Sequence, residues 1–281
     1  METRSVLVTG SSTGIGYATV AGLVGAGFRT WATVRRPADA ERLSQAFGDA
    51  VTPLLVDLED EESVREAGRR VCAAGPLHGL VNNAGASLPG PLEYLPLADL
   101  RRQLEVNVVG QLGMIQAVLP ALRRAQQESG DARIVLIGSI GGRIAGGMLG
   151  AYQASKHALV GLAGSLRSEL APWGIKVVLI EPGTIATAIW DHGRVATDAM
   201  VAQLTPEARS RYAPQLQKMR DFGARGSAGL APEAVGRRVV AALTGTRPAP
   251  RQVVGRDAQV VAALVRVLPF RAIYRMTAAR A

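Results

Sequence analysis

Seven short apolar runs, separated by helical patterns, constrain this chain more than any other feature. They fall at residues 6–9, 30–34, 52–56, 80–82, 134–138, 176–180 and 252–254, with helical spacing near 14–26, 39–47, 60–74, 97–126, 151–171 and 231–243. Near-continuous apolar strands are those buried on both faces, and strands that alternate with amphipathic helices need crossover connections. The pattern predicts an α/β fold: a doubly wound, seven-stranded parallel sheet in three αβα layers. Ligands of such sheets bind beyond the carboxyl ends of the strands, where the winding reverses. With 281 residues and neither a solenoid repeat nor a flexible linker, residues 1–255 read as one domain. Residues 184–229 interrupt the rhythm at a place suited to a lid, and residues 256–281 read as a C-terminal extension of the same domain.

The first run ends in Thr9-Gly10-x3-Gly14-x-Gly16 and opens straight into a helical pattern, with Ser12, Thr13 and Ile15 inside the turn. Glycines there allow a tight turn and let the backbone approach a pyrophosphate whose charge faces the helix N-terminus. The end of the second strand then meets the adenosine ribose. An acid at that place binds a free 2′-hydroxyl, whereas Arg accommodates a 2′-phosphate. This chain has Arg35 and Arg36 there and no acid before Asp39, past Pro37. NADP(H) is favoured over NAD(H), with Arg36 equally readable as a solvated loop residue.

The fifth run delivers Ser139 to its carboxyl end, and a Gly-rich loop leads to Tyr152-x3-Lys156 at the start of a helical pattern. Residues four apart share a helix face. A phenol ionises near pH ~10, and a fixed ammonium beside it is expected to lower that value. Ser139 can hydrogen-bond an oxygen held over the phenol. The chemistry suggested is proton transfer at a carbonyl–alcohol pair.

With these residues assembled, and with Asn82-Asn83-Ala84-Gly85, Asn107 and Pro182-Gly183 at matching spacing, the chain resembles the short-chain dehydrogenase/reductase family over about residues 5–255. The resemblance is to its single-domain, Rossmann-fold branch and to steroid- and retinoid-type members. It implies that Tyr152 is the general acid/base, that Ser139 polarises the substrate oxygen, and that Lys156 grips the nicotinamide ribose. It implies that Asn107 holds a water of a proton relay reaching Lys156. Asp57, with Leu58 beside it, would meet the adenine, while Asn83, Ala84 and Gly85 line the adenosine ribose. Pro182, Gly183, Ile185 and Thr187 would contact the nicotinamide. Read from the residues alone, Asn107 is equally a helix-face polar group, and Asp57 equally the cap of a helix beginning near Asp60. The resemblance also implies a homodimer or homotetramer through the helices at 97–126 and 151–171.

Other features bound the partners. Cys72 stands alone, which excludes an internal disulfide and suggests a reducing, cytoplasmic setting. The chain enters its first strand too early for a signal peptide, and no run of about 18 apolar residues suggests a membrane span. His78, His157 and His192 make no metal-spaced set, so no metal is expected. Of the net charge of +9, residues 231–281 hold +7, from nine Arg against Glu233 and Asp257. This tail has few aromatics and no nucleic-acid motif, so no nucleic-acid partner is expected. Its stretch 260–268 reads as an amphipathic helix that packs on the domain or on a second subunit, with membrane-surface contact as the alternative. Ile144, Met148, Leu149, Ile185, Ile189, Trp190 and Tyr212 would wall an apolar pocket, with Arg143 its one charged neighbour. The reading is an NADP(H)-dependent oxidoreductase of bulky hydrophobic ketones or secondary alcohols. The alternative is a non-catalytic NADP(H)-binding regulatory module on the same fold.

Overall fold

The computed structural model describes residues 4–278; Arg280 and the two ends of the expected domain and tail lie outside them. Seven strands, β1 Ser5–Val8, β2 Arg29–Val34, β3 Val51–Leu55, β4 Gly79–Asn82, β5 Arg133–Ile137, β6 Lys176–Pro182 and β7 Arg251–Val254, form one parallel sheet in the order β3-β2-β1-β4-β5-β6-β7. From β1 the chain winds outward through β2 and β3, then returns to β4 on the other side. The carboxyl ends of β1 and β4 therefore part, and a crevice opens between them.

Eleven α-helices among the described residues cover the sheet: α1 Gly14–Gly25, α2 Pro37–Phe47, α3 Glu61–Ala73, α4 Leu97–Leu104, α5 Gly110–Ser129, α6 Gly150–Leu170, α7 Ile189–Gln203, α8 Pro206–Gly226, α9 Pro232–Thr244, α10 Arg256–Val267 and α11 Phe270–Ala278. The strands alternate their apolar side chains between two cores. Leu7, Leu80, Ile134 and Leu136 meet Met114, Val118, Leu122 and Leu159 of α5 and α6. Val6, Val8, Val81 and Ile137 meet Val20 and Leu23 of α1 and Val235 and Val239 of α9 on the other face. Each of these side chains contributes about 1.5–3 kcal/mol by leaving water.

Two elements differ in detail from the sequence reading. The helix expected over 97–126 runs from Leu97 to Ser129, but its middle, Glu105–Val109, is a π-helical segment. This path is long and apolar enough by length and composition to cross a membrane; here it is a core helix, with Met114, Ile115, Val118 and Leu122 against the sheet. The segment 184–229, which breaks the strand–helix rhythm, holds two long helices, α7 and α8. Thr205 caps α8 by accepting from Ala208 N at 3.2 Å. The tail is two helices, because Pro269 forces Leu268 into extended backbone (ψ 141°).

The β1–α1 turn is tight because side chains are excluded from it. Gly10 and Gly14 have φ of 67° and 57°, and a Cβ on Gly16 would lie 2.1 Å from the Gly10 carbonyl oxygen. Gly16 thus lets α1 pack on its own turn and does not line the crevice, contrary to its expected place among the cofactor-contacting residues. Gly16→Ala is expected to destabilise the protein by about 1–3 kcal/mol through overpacking, read as a lower Tm by calorimetry; an unchanged Tm would show that turn and helix can separate freely.

Candidate active site

The crevice is a cavity of about 770 Å³. Of the catalytic and cofactor-contacting residues named from the sequence, all but Gly16, Arg36 and Asn107 line it. Its floor is the β1–α1 turn, stitched to the neighbouring strands. Ser11 N donates to Thr33 O at 2.8 Å, and Thr9 Oγ1 accepts from Asn83 N and Ala84 N at 2.9 and 3.0 Å. Asn83 Nδ2 donates to Thr9 O and Gly10 O at 2.9 and 3.0 Å, so this amide braces the turn. Thr13 begins α1 without a side-chain cap, which leaves the first N–H groups of the helix for an anion.

At the far end, Arg35 is exposed along the cavity wall, whereas Arg36 is turned aside and bonds Asp39 at 2.8 Å. Arg42, which the sequence reading passed over, also pairs with Asp39 (3.1 Å) and donates to the Ser12 carbonyl. Its signal was its place one turn after Asp39 on α2. Asp57 lines the cavity and its Oδ1 accepts from Glu59 N; the residue that caps α3 is Asp60.

Asn107 sits behind the opposite wall. Its Oδ1 accepts from Ala86 N at 2.8 Å, and its Nδ2 donates to Ala86 O and Ser155 Oγ at 3.0 and 2.9 Å. Both groups of the side chain have partners, so it ties Ala86 to Ser155. Two further amides repeat the arrangement one turn away on either side. Gln103 bonds Leu88 N and Ala86 O (2.8 and 2.7 Å), and Gln111 donates to Ala84 O at 2.6 Å. Amides at 103, 107 and 111, four apart, were the signal that sequence reasoning missed. Gly85 keeps the space between: a Cβ there would lie 3.3 Å from Asn107 Oδ1 and 3.8 Å from Lys156 Nζ.

Ser139 leaves β5 in extended backbone, and its Oγ accepts from Gly141 N at 3.0 Å. It lies beside Tyr152: a Cβ on Gly141 would be 3.4 Å from Ser139 Oγ and 3.6 Å from Tyr152 Cε1. Lys156, one helical turn on, is buried, donates to the Ile137 carbonyl at 3.1 Å, and holds its Nζ 5.7 Å from the centre of the Tyr152 ring. Burial raises the Tyr152 phenol above its ordinary value, with the Ser139 hydrogen bond pulling the other way. Burial lowers Lys156 to about 8. In the protein alone, desolvation is the largest influence on the phenol, so the expected lowering is not found.

The wall beyond Tyr152 is apolar. Ile144, Leu149, Ile185, Ile189 and Trp190 line it, joined by Met219 and Phe222 of α8. Trp190 is fixed by its Nε1 donating to Ile185 O (2.7 Å) and by edge contact with Phe222. Met148 and Tyr212 lie elsewhere: they pack with Met200, Leu204 and Leu216 in a separate small core, where the Tyr212 hydroxyl donates to Glu93. Arg143 turns onto Glu181, which also takes both donors of Arg251 at 2.6 Å. Burial opposes the Glu181 charge, yet these guanidiniums hold its carboxyl below the usual range.

The segment after β6 carries Pro182, Gly183, Ile185 and Thr187 along the cavity. Gly183 N donates to Val254 O and Thr184 N to Asp257 Oδ2, each at 2.8 Å. Thr187 closes over the glycine turn, where a Cβ on Gly14 would lie 2.9 Å from Thr187 Cγ2.

Comparison with known proteins agrees with this geometry. The family model described as short chain dehydrogenase matches residues 4–196. The chain is 34% identical over 194 residues to an NADPH-dependent 3-dehydrocapnine reductase of Ornithobacterium rhinotracheale, covering 68% of this chain and 69% of that one. It is 35% identical to human retinol dehydrogenase 5, covering 74% of this chain and 65% of that one. Among solved structures, a short chain dehydrogenase of Burkholderia cenocepacia J2315 in complex with NADP superposes with a TM-score of 0.75 at 26% identity, covering 98% of both chains.

A lysine that burial holds at about 8 is charged at neutral pH only at a cost, on the order of 3 kcal/mol relative to its ordinary value. That cost is full below about pH 8 and fades as pH rises toward the ordinary lysine value, because the unfolded chain then binds the extra proton. Lys156→Met is expected to raise Tm at pH 7, by less at pH 9.5 or so, while turnover is lost; a lower Tm at pH 7 would show that the bond to Ile137 outweighs desolvation.

Proposed function

Because the chain belongs to the short chain dehydrogenase family and is an oxidoreductase that binds a nicotinamide cofactor, we propose that it is an NADP(H)-dependent enzyme interconverting a bulky, apolar ketone and its secondary alcohol. Membership in a family of enzymes sets aside the non-catalytic module. The observation that carries the reading is the meeting of Ser139, Tyr152 and buried Lys156 in one cavity with the glycine turn.

The cavity suits a dinucleotide. Gly10 and Gly14 keep the turn tight against the cavity, the first N–H groups of α1 are open to a pyrophosphate, and the cavity volume lies in the range of cofactor sites. Arg35, free of the Asp39 pairing that occupies Arg36 and Arg42, is the guanidinium for the 2′-phosphate. The NADPH dependence of the Ornithobacterium reductase and the NADP bound to the Burkholderia protein support this choice.

When bound, the reduced cofactor supplies a hydride to the carbonyl carbon. Tyr152 Oη then gives its proton to the developing alkoxide oxygen, and Ser139 Oγ hydrogen-bonds the same oxygen. The raised phenol value suits this direction, since Tyr152 carries its proton throughout the neutral range. Lys156, charged below about pH 8, steadies the phenolate left behind. Asn107 contributes by fixing Ala86 and Ser155 around the lysine. The apolar wall of Ile144, Leu149, Trp190, Met219 and Phe222 excludes water and selects a hydrophobic substrate. Association into a homodimer or homotetramer through α4–α5 and α6 belongs to the same proposal.

Tyr152→Phe is expected to lower kcat roughly 10²–10⁴-fold on a lipophilic ketone with NADPH affinity nearly intact, followed by loss of reduced-nicotinamide absorbance and by fluorescence titration. A variant keeping most of its rate would remove Tyr152 as the acid. Arg35→Ala is expected to weaken NADPH roughly 10- to 100-fold, the worth of a charge-assisted hydrogen bond, and to leave NADH binding unchanged. Equal loss for both cofactors would show that Arg35 does not read the 2′-phosphate.

A further inference from the structure

The exposed side of α10 and α11 carries a second apolar stripe, distinct from the side that packs on the protein. Val260, Ala263 and Val267 of α10 follow one another at intervals of three and four residues, the spacing of one helix face, and Phe270 and Tyr274 share a face of α11 in the same way. Val260, Val267, Phe270 and Tyr274 are 59%, 75%, 80% and 62% exposed, and Val267 and Phe270 are the two most exposed large hydrophobic side chains among the described residues. The inner side is Ala258, which is fully buried, with Val261, Val265, Leu268 and Ile273 partly so.

Arg256, Arg266, Arg271 and Arg275 flank this stripe, all exposed and none with an ion-pair or hydrogen-bond partner among the described residues. By contrast, Arg133, Arg143 and Arg251 each meet a carboxylate. The tail's one acid, Asp257, is occupied by Thr184 N. Apolar side chains bordered by unpaired arginines suit a surface that is negative at its rim and apolar beneath. We propose that α10 and α11 dock the enzyme on an anionic lipid surface, with Phe270 and Tyr274 entering the headgroup layer and the arginines meeting lipid phosphates.

A second copy of the chain fits less well. An isologous pairing through this stripe sets arginines against arginines with no acid to answer them. The position of the tail adds a reason for lipid. Thr277 of α11 borders the loop that carries Ile144 and Leu149 to the cavity, a Cβ on Gly146 coming within 3.8 Å of Thr277 Cβ. Docking there brings the apolar end of the cavity close to the phase in which a hydrophobic ketone dissolves.

The test is sedimentation of the full-length protein with vesicles of phosphatidylglycerol and phosphatidylcholine in equal parts, and with vesicles of phosphatidylcholine alone. Pelleting with the mixed vesicles only, reversed by salt, is the expected result. Phe270→Glu with Tyr274→Glu is expected to abolish it. Each of Arg266→Gln, Arg271→Gln and Arg275→Gln is expected to lower the partition coefficient roughly fivefold, all with unchanged turnover of a small water-soluble ketone. Absence of the wild type from the anionic pellet overturns the proposal, as does equal pelleting by the double variant. So does a solution mass, by sedimentation velocity, that falls on Phe270→Glu, which would give the stripe to a second copy. None of these readouts depends on which ketone the enzyme reduces, so the docking surface and the proposed reaction stand or fall separately.

Discussion

Three side-chain amides on one helix hold the wall of the active site. Gln103, Asn107 and Gln111 are each fully buried and each bonds backbone of residues 84–88, the strand that leaves β4 along the cavity without regular secondary structure of its own. Backbone in that position has no neighbouring strand to pair with, and a buried group left unpaired costs about 1–3 kcal/mol. The amides supply both donors and acceptors. In doing so they set the distance between the glycine turn on one side of residues 83–85 and Lys156 on the other. The wall is made rigid by bonds from behind, which leaves its cavity-facing side open for a ligand.

A second tie gathers the opposite side. Buried Glu181 at the end of β6 takes guanidiniums from Arg143, in the loop after Ser139, and from Arg251, at the start of β7. Two residues past the end of β6, Thr184 N donates to Asp257 of α10. One carboxylate therefore anchors the loop that follows Ser139, and another anchors the segment that follows Pro182-Gly183. A buried carboxylate with only one partner would be a destabilising charge; with two bidentate-capable arginines it becomes a fixed point for three elements. Arg143 thus acts on the site from behind it and lends the pocket no charge, which leaves the substrate wall apolar.

Much of this could be read from the sequence, and the residues that could not share a physical reason. All seven strands and their parallel order follow from apolar runs that need two buried faces. Tyr152 and Lys156 follow from helical spacing, and Ser139 from its place at a strand end. Contacts made by backbone or by residues distant in the chain leave no local pattern. Gly16 carries the same letter as Gly10 and Gly14, yet only its packing against the Gly10 carbonyl shows that it serves the helix and not the ligand. Arg143 and Glu181 lie 38 residues apart, so their bond is invisible to spacing. Met148 and Tyr212 are apolar and near the site in sequence, but Met200 and Leu216 offered them a closer core. The burial of Tyr152 and Lys156 likewise depends on the whole cavity, and it reverses the shift expected from their pairing alone.

The π-helical turn at Glu105–Val109 has a consequence for the whole layer on that face. One surplus residue in a helix rotates everything after it by about 100° relative to an unbroken α-helix. The register of Met114, Ile115, Val118 and Leu122 against the sheet is set by that rotation, and so is the alignment of Gln103 with Gln111. The turn works as a phase adjuster: it lets one continuous rod present amides to a loop in its first half and aliphatic side chains to a sheet in its second. Shortening it by a single position would leave the rod intact while swinging its greasy flank toward water.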